Sequence, residues 1–173
     1  MKVFSIIGIS KSGKTTTAEA IISELCRRGY TVGSVKDIHF TGFALDQEGT
    51  NTHRHKQAGA QPVTARGLYE TDVMFPQRLS LSAILAFYHQ DFVVLEGALD
   101  FRGPGIIAAC TEGEIEDRKR DNIFAIAGQI SNRLTEYLGL PVIDARSQAG
   151  KLVDLIEKLP AWTGKEEWID KES

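Results

Sequence analysis

The residues best suited to chemistry lie near the start of the chain, where Gly8-Ile9-Ser10-Lys11-Ser12-Gly13-Lys14-Thr15 has the spacing Gly-x-x-x-x-Gly-Lys-Thr. Each fixed position of that pattern has a mechanical task. Gly8 and Gly13 allow the backbone to turn successive N–H groups inward, forming an anion nest at the positive end of the next helix. Lys14 is a flexible point charge able to reach the outer phosphates of a nucleotide and is the first candidate catalytic group. The Thr15 hydroxyl can take one position on an octahedral Mg²⁺. Ser10 and Ser12 are small enough to let the loop close, and with Lys11 and Thr16 they complete the candidate phosphate-binding set.

A second acidic element stands far along the chain. Phe92-Val93-Val94-Leu95 is its most apolar short run, and it ends on Glu96 and Gly97. A carboxylate at the tip of a buried strand needs a reason. Glu96 has the placement of a Walker B acid, which with Thr15 makes the candidate metal pair. The segment Lys36 to His55 adds Lys36, Asp37, His39, Asp46, His53, Arg54 and His55, including three of the four histidines. Its histidines could bind an anionic second substrate, act as a switch, or ligate a metal, although their spacing fits no strong zinc pattern. Asp37 is the nearest candidate for positioning an attacking water.

The elements that must hold these groups read as an α/β fold. Lys2 to Gly8 is a buried strand, and Lys14 to Arg28 is a helix with Ala18, Ile21, Ile22 and Leu25 at helical spacing, stopped by Gly29. Thr31 to Val35 is a second strand, expected to pair in parallel with the first. Lys36 to Thr52 reads as a long functional loop. A helix comes next from Thr52 to Gly59, then short strands at Gln61 to Ala65 and Glu70 to Phe75, and a helix at Ser80 to Tyr88 with Ser80 as its cap. Gly105 to Cys110 and Ile123 to Ala127 are core strands flanking a charged stretch, Glu112 to Asp121, where Arg118, Lys119 and Arg120 argue for solvent exposure. Ser131 to Leu138 and Ser147 to Leu159 have helical character around a short strand, Pro141 to Ile143. In a doubly wound sheet ligands gather at the carboxyl ends of the strands, so Gly8, Lys36 and Glu96 are expected to converge.

At 173 residues, with 42% hydrophobic and 25% charged residues, the chain has room for one ordinary domain. We expect residues 1–160 to form it and 161–173 to be a polar tail. A net charge of −3 gives no general attraction to nucleic acid or an anionic membrane, and neither is an expected partner. Cys26 and Cys110 sit in no metal-binding pattern and read as buried thiols. No apolar run is long enough to span a membrane, and a reducing cytoplasm is the expected location.

Taken together, these residues resemble the molybdopterin-guanine dinucleotide biosynthesis protein B family, MobB. The resemblance rests on Gly8 to Thr15, Val35-Lys36 with His39, Asp46 and Gly49, Arg54-His55-Lys56-Gln57-Ala58-Gly59-Ala60, and Val93-Val94-Leu95-Glu96-Gly97. It implies a three-layer P-loop NTPase fold with a mainly parallel sheet. It further implies a homodimeric, weak Mg²⁺-dependent GTPase or adaptor that assists the nucleotidyltransferase attaching GMP to molybdopterin. Lys36, His39, Arg54 and His55 join the phosphate-loop residues in the expected cofactor-binding set. Asp37 stands where the family usually has His, Gly49-Thr50-Asn51-Thr52 where it has Gly-Lys-Asp-[Ser/Thr], and Ala98-Leu99 where an aromatic and a lysine commonly follow Glu-Gly. The lysine that ParA-type ATPases carry after the first glycine is replaced by Ile9, which disfavours that dimer.

From the residues alone two other functions stay open. One is a small-molecule kinase or ATP-dependent ligase, with Lys36 holding an anionic acceptor. The other is a metal-insertion GTPase using the histidine segment. After Ile123 to Ala127 the chain runs Gly128-Gln129-Ile130-Ser131-Asn132, without an Asn-Lys-x-Asp guanine-reading motif, so GTP is expected through the family and ATP remains possible.

Overall fold

The first strand, β1 (Lys2–Ile7), is buried along almost its whole length, as a central strand covered on both faces must be. In the computed structural model, which describes residues 1–164, the elements after it are α1 (Lys14–Arg27), β2 (Val32–Lys36), α2 (Asn51–Gln57), β3 (Val63–Arg66), β4 (Thr71–Met74), α3 (Leu81–Leu85) and β5 (Phe92–Glu96). Then come β6 (Gly105–Ala108), α4 (Glu112–Glu116), β7 (Ile123–Ala127), a 3-10 turn at Gln129–Asn132, β8 (Glu136–Tyr137), β9 (Leu140–Pro141) and α5 (Ala145–Ile156). The span expected as one domain divides into two compact units: Met1–Asp37 with the chain from Tyr88 onward, and Ile38–Phe87.

The first unit is built on a five-stranded sheet of order β2-β5-β1-β6-β7, parallel at every pairing. Alternation along the strands sends successive side chains to opposite faces. Phe4 and Ile6 of β1, with Phe92 and Val94 of β5, meet Ala18, Ile21 and Leu25 of α1 and Leu152, Val153 and Ile156 of α5. Ile7, Ile107 and Ile126 face the other way, against Ile115 of α4, Ile130 and Val142. Helices on both faces of a parallel sheet make the α/β three-layer arrangement read from the sequence. At the far end of α1, Arg28 ties it to α5 through Glu157 at 3.0 Å and Asp154 at 2.8 Å, and also bonds Glu24 at 2.9 Å.

The second unit is smaller and differently made. β3 and β4 form an antiparallel ribbon, Val63 opposite Met74 and Arg66 opposite Thr71. Ser80 caps α3 by accepting from the Ala83 N–H at 3.2 Å. Its buried apolar side chains are Val63, Leu81 and Leu85, whereas Phe40, Phe43, Leu45, Leu68, Tyr69, Val73 and Phe87 are exposed.

Four expectations are corrected. The strands β1 and β2 are parallel, but β5 lies between them, because its apolar run is long enough to be covered on both sides and takes the inner position. Ser131 to Leu138 is not a helix: the 3-10 turn gives way to a two-strand hairpin, β8 to β9, with Tyr137 opposite Leu140. Its two-residue loop needs positive φ at both positions, and Leu138 (51°) and Gly139 (75°) supply it. Cys26 is exposed and Cys110 half-buried; Cys26 comes directly after the buried Leu25 and so turns about a quarter-circle away from the core face of α1. Arg118 and Arg120, read as solvated, are half-buried, while Lys119 is exposed. The expected polar tail, 161–173, lies mostly outside the described residues.

Candidate functional site

The chain between Ile7 and Lys14 is shaped by close approach. A methyl group on Gly8 would stand 2.1 Å from the Ala108 carbonyl oxygen and 2.7 Å from Ser12 Oγ, so only glycine fits against β6. Ser12 is fully buried and its hydroxyl donates to the Ile9 carbonyl at 3.0 Å. Lys14 Nζ donates to the same carbonyl. The helix α1 starts without a side-chain cap, leaving the N–H groups of its first turn able to receive an anion. Thr15 and Thr16 are exposed there, as are Ser10 and Lys11 in the loop before it.

The sheet register explains why Lys36 and Glu96 meet this turn. Glu96 is level with Ile6 on one side and with Lys36 on the other, so two parallel strands end together beside the phosphate loop. Glu96 Oε1 accepts from Thr15 Oγ1 at 2.7 Å and pairs with Lys36 Nζ at 2.7 Å. Lys36 Nζ also donates to Thr15 Oγ1 at 3.3 Å. Burial lowers the pKa of Lys14; the Glu96 carboxylate opposes this, and the charges of Lys36 and Arg118 add to it. Asp37, one residue past β2, donates its N–H to the Glu96 carbonyl at 2.8 Å.

A cleft of about 500 Å³ opens on this turn, lined by Lys11 and Gly13 to Thr17 on one side and by Gly128, Gln129, Asn132, Asp144 and Arg146 on the other. The second group was missed in the sequence. Gly128 touches the loop directly, since a methyl there would lie 2.4 Å from the Ser12 carbonyl oxygen and 2.8 Å from the Ala109 nitrogen. Gln129 Nε2 donates to the Lys11 carbonyl at 2.9 Å. Asp144 caps α5, with Ser147 donating to it at 2.9 Å and the Arg146 N–H at 3.1 Å; the Ser147 bond is the main cause of its lowered pKa. A strand-ending glycine and an Asp-x-x-Ser cap were the available signals.

His39, Arg54 and His55 stand on the second unit, all exposed. There Thr50 caps α2 by accepting from the His53 N–H at 3.1 Å. Asp46 gathers Lys56 at 2.7 Å and the hydroxyls of Thr50 and Thr52 at 2.8 Å each. Those bonds, Lys56 first, hold its carboxyl below the usual range. The segment Gly49 to Thr52, which departs from the resembled pattern, thus builds a helix start. Among the described residues no group of three or more His, Cys, Asp or Glu side chains is placed to hold a metal ion. Nor is any described helix long and apolar enough to cross a membrane.

The sequence model of the family described as Molybdopterin guanine dinucleotide synthesis protein B, MobB, matches residues 3–129. The chain belongs to this family. A probable molybdopterin-guanine dinucleotide biosynthesis adapter protein of Bacillus subtilis is 26% identical over 147 residues, 83% of this chain and 85% of that one. The corresponding adapter protein of Haemophilus influenzae is 32% identical over 100 residues, 55% of this chain and 56% of its own length. Among solved structures, the crystal structure of Bacillus subtilis MobB superposes with a TM-score of 0.76 at 22% identity, over 94% of this chain and 100% of that chain. A MobB homologue from Bacillus stearothermophilus gives 0.69 at 23% identity, over 91% and 99%. These likenesses show that the chain has the MobB fold.

Proposed function

We propose that this chain binds Mg²⁺·GTP on its phosphate loop and acts as an adaptor in molybdopterin guanine dinucleotide biosynthesis, with weak GTPase activity of its own. The observation that carries this reading is the meeting of Thr15, Glu96 and Lys36 within 3.3 Å at the start of α1. A hydroxyl and a carboxylate 2.7 Å apart are hard oxygen donors, which suits Mg²⁺. The donor set fits the ion, and Thr15 and Glu96 would hold it. Bound there, Mg²⁺ would neutralise charge on the phosphate oxygens.

The chain's own groups do the remaining work. First-turn N–H groups of α1 and the Lys14 ammonium hold the phosphates. Lys36 adds a second cation at the end of β2. Asp37, half-buried one residue past β2, is assigned the orienting of water, and turnover is slow because one carboxylate alone is assigned to position that water. Gln129, Asn132, Asp144 and Arg146 form the end of the cleft assigned to the base and sugar, with GTP favoured through the family relationship. His39, Arg54 and His55 are assigned to the second ligand or partner, molybdopterin or its nucleotidyltransferase, in keeping with the adapter proteins this chain resembles. The exposed apolar residues of the second unit, Leu68 and Tyr69 at the ribbon tip among them, support a homodimer.

Calorimetry of the purified chain with GTP, ATP and a molybdopterin-type ligand tests the reading. The expected result is Mg²⁺-dependent GTP binding with little turnover. Preference for ATP with rapid phosphoryl transfer to a small acceptor would overturn it in favour of a kinase or ligase.

A further inference from the structure

Beside the phosphate loop, the first unit contains a second cavity of about 370 Å³ that the nucleotide reading does not use. Ile7, Leu99, Arg102, Arg118, Lys119 and Arg120 line it, with Asp117 as its one carboxylate. Ile7 and Ser5 point to the sheet face away from α1, and Arg120 reaches that face, donating to Ser5 Oγ at 3.2 Å. None of these side chains lines the nucleotide cleft.

The charge arrangement is unfavourable without an anion. Arg102 and Arg120 each bury an Nε–H group that finds no hydrogen-bond acceptor. A charged donor left so is among the costliest of unmade bonds. The charge that acts on Arg120 is another cation, Arg102, which reinforces the effect of burial. Arg118 adds a third guanidinium, and its field reaches Lys14. Forked guanidinium donors match the oxygens of phosphate and carboxylate. Four cations against one carboxylate favour a dianion over a monoanion, and Ile7 and Leu99 offer apolar surface to an organic body.

We propose that this cavity is a second anion site, which takes the terminal phosphate of an organic phosphate monoester on Arg102, Arg118 and Arg120. The site shares no lining residue with the nucleotide cleft, although its occupant would lie within the electrostatic reach of Lys14.

The test is calorimetry on the full chain with phenyl phosphate and with inorganic phosphate as probes, in the wild type and in Lys14→Ala, Arg118→Ala and Arg102→Lys. Circular dichroism checks that each variant is folded. Phenyl phosphate should still bind Lys14→Ala, weakened by no more than about threefold through the lost Lys14 charge, whether or not the wild type takes Mg²⁺·GTP. Arg118→Ala should weaken that binding about tenfold, and Arg102→Lys, which keeps the charge and removes the fork, should weaken it as well. Phenyl phosphate should bind more tightly than inorganic phosphate. Loss of all phosphate binding in Lys14→Ala would overturn the proposal, as would affinities within about twofold of wild type in both arginine variants. Equal affinity for the two probes would overturn the organic ligand and leave a site for the free ion.

Discussion

The two units solve the problem of holding their candidate functional side chains in opposite ways. In the first, Lys14, Thr15 and Glu96 stand at the ends of α1 and β5, whose inner faces are buried, Lys36 ends the half-exposed edge strand β2, and the register of three parallel strands sets where Lys36 and Glu96 lie. In the second, His39, Arg54 and His55 are exposed around a short helix fastened by Asp46, Thr50 and Lys56, with few buried apolar residues beneath them. Packing positions the first set, and local hydrogen bonds position the second. A site of the first kind is robust to changes on its surface; one of the second kind depends on each polar contact.

The comparison can be broken most sharply through the core. Ile21→Ala, which empties a fully buried position under α1, should lower unfolding stability by about 3 kcal/mol in denaturant melts. Phe43→Ala in the exposed part of the second unit should change it by about 0.5 kcal/mol or less. Equal losses would show that the second unit is as tightly packed as the first. Next in size, Lys14→Ala should weaken Mg²⁺·GTP about a hundredfold by calorimetry, with the thermal midpoint of the free protein little changed. Thr50→Ala removes the cap of α2 and should cost about 1 kcal/mol. Hydrogen exchange should localise that loss to the amides of Asn51–Gln57, and a loss spread over α1 and the central sheet would join the two regimes.

The smallest effect concerns pH. The hydrogen bonds from Arg27 and then Arg28 depress the Glu24 pKa from 4.5 to about 2. A carboxyl whose folded pKa is depressed contributes stability that is present above its unfolded value and is lost as pH falls through the folded one. The thermal midpoint of Glu24→Gln should therefore lie below wild type at neutral pH, and the gap should close between pH 4.5 and about 2. A gap that persisted at the acid end would mean that the variant acts through packing instead.

What could be read in the sequence obeys the same division. The turn of Gly8 to Gly13 between β1 and α1 and the strand ending at Glu96 were legible because glycine spacing and an uninterrupted apolar run each report a backbone requirement directly. The place of β5 between β1 and β2 was not, since neighbours in a sheet are chosen by total burial and not by chain order. The hairpin at Leu138 was hidden because leucine is a poor signal for positive φ, and only Gly139 beside it hinted at the turn. Gln129, Asn132, Asp144 and Arg146 are ordinary polar residues until the fold brings two distant segments to one cleft. Arg118 and Arg120 looked solvated because a run of like charges usually is, and only the sheet face behind them makes their burial visible.

The contact of Gly128 with Ser12 and Ala109 also bears on how fast and how tightly the loop can be loaded. A turn of backbone wedged against another segment has little freedom left to lose, so the entropy of ordering it is spent during folding and not at encounter. In the proposed function, ligand arrival then resembles docking onto a rigid mould, and selectivity between nucleotides falls to the polar far end of the cleft.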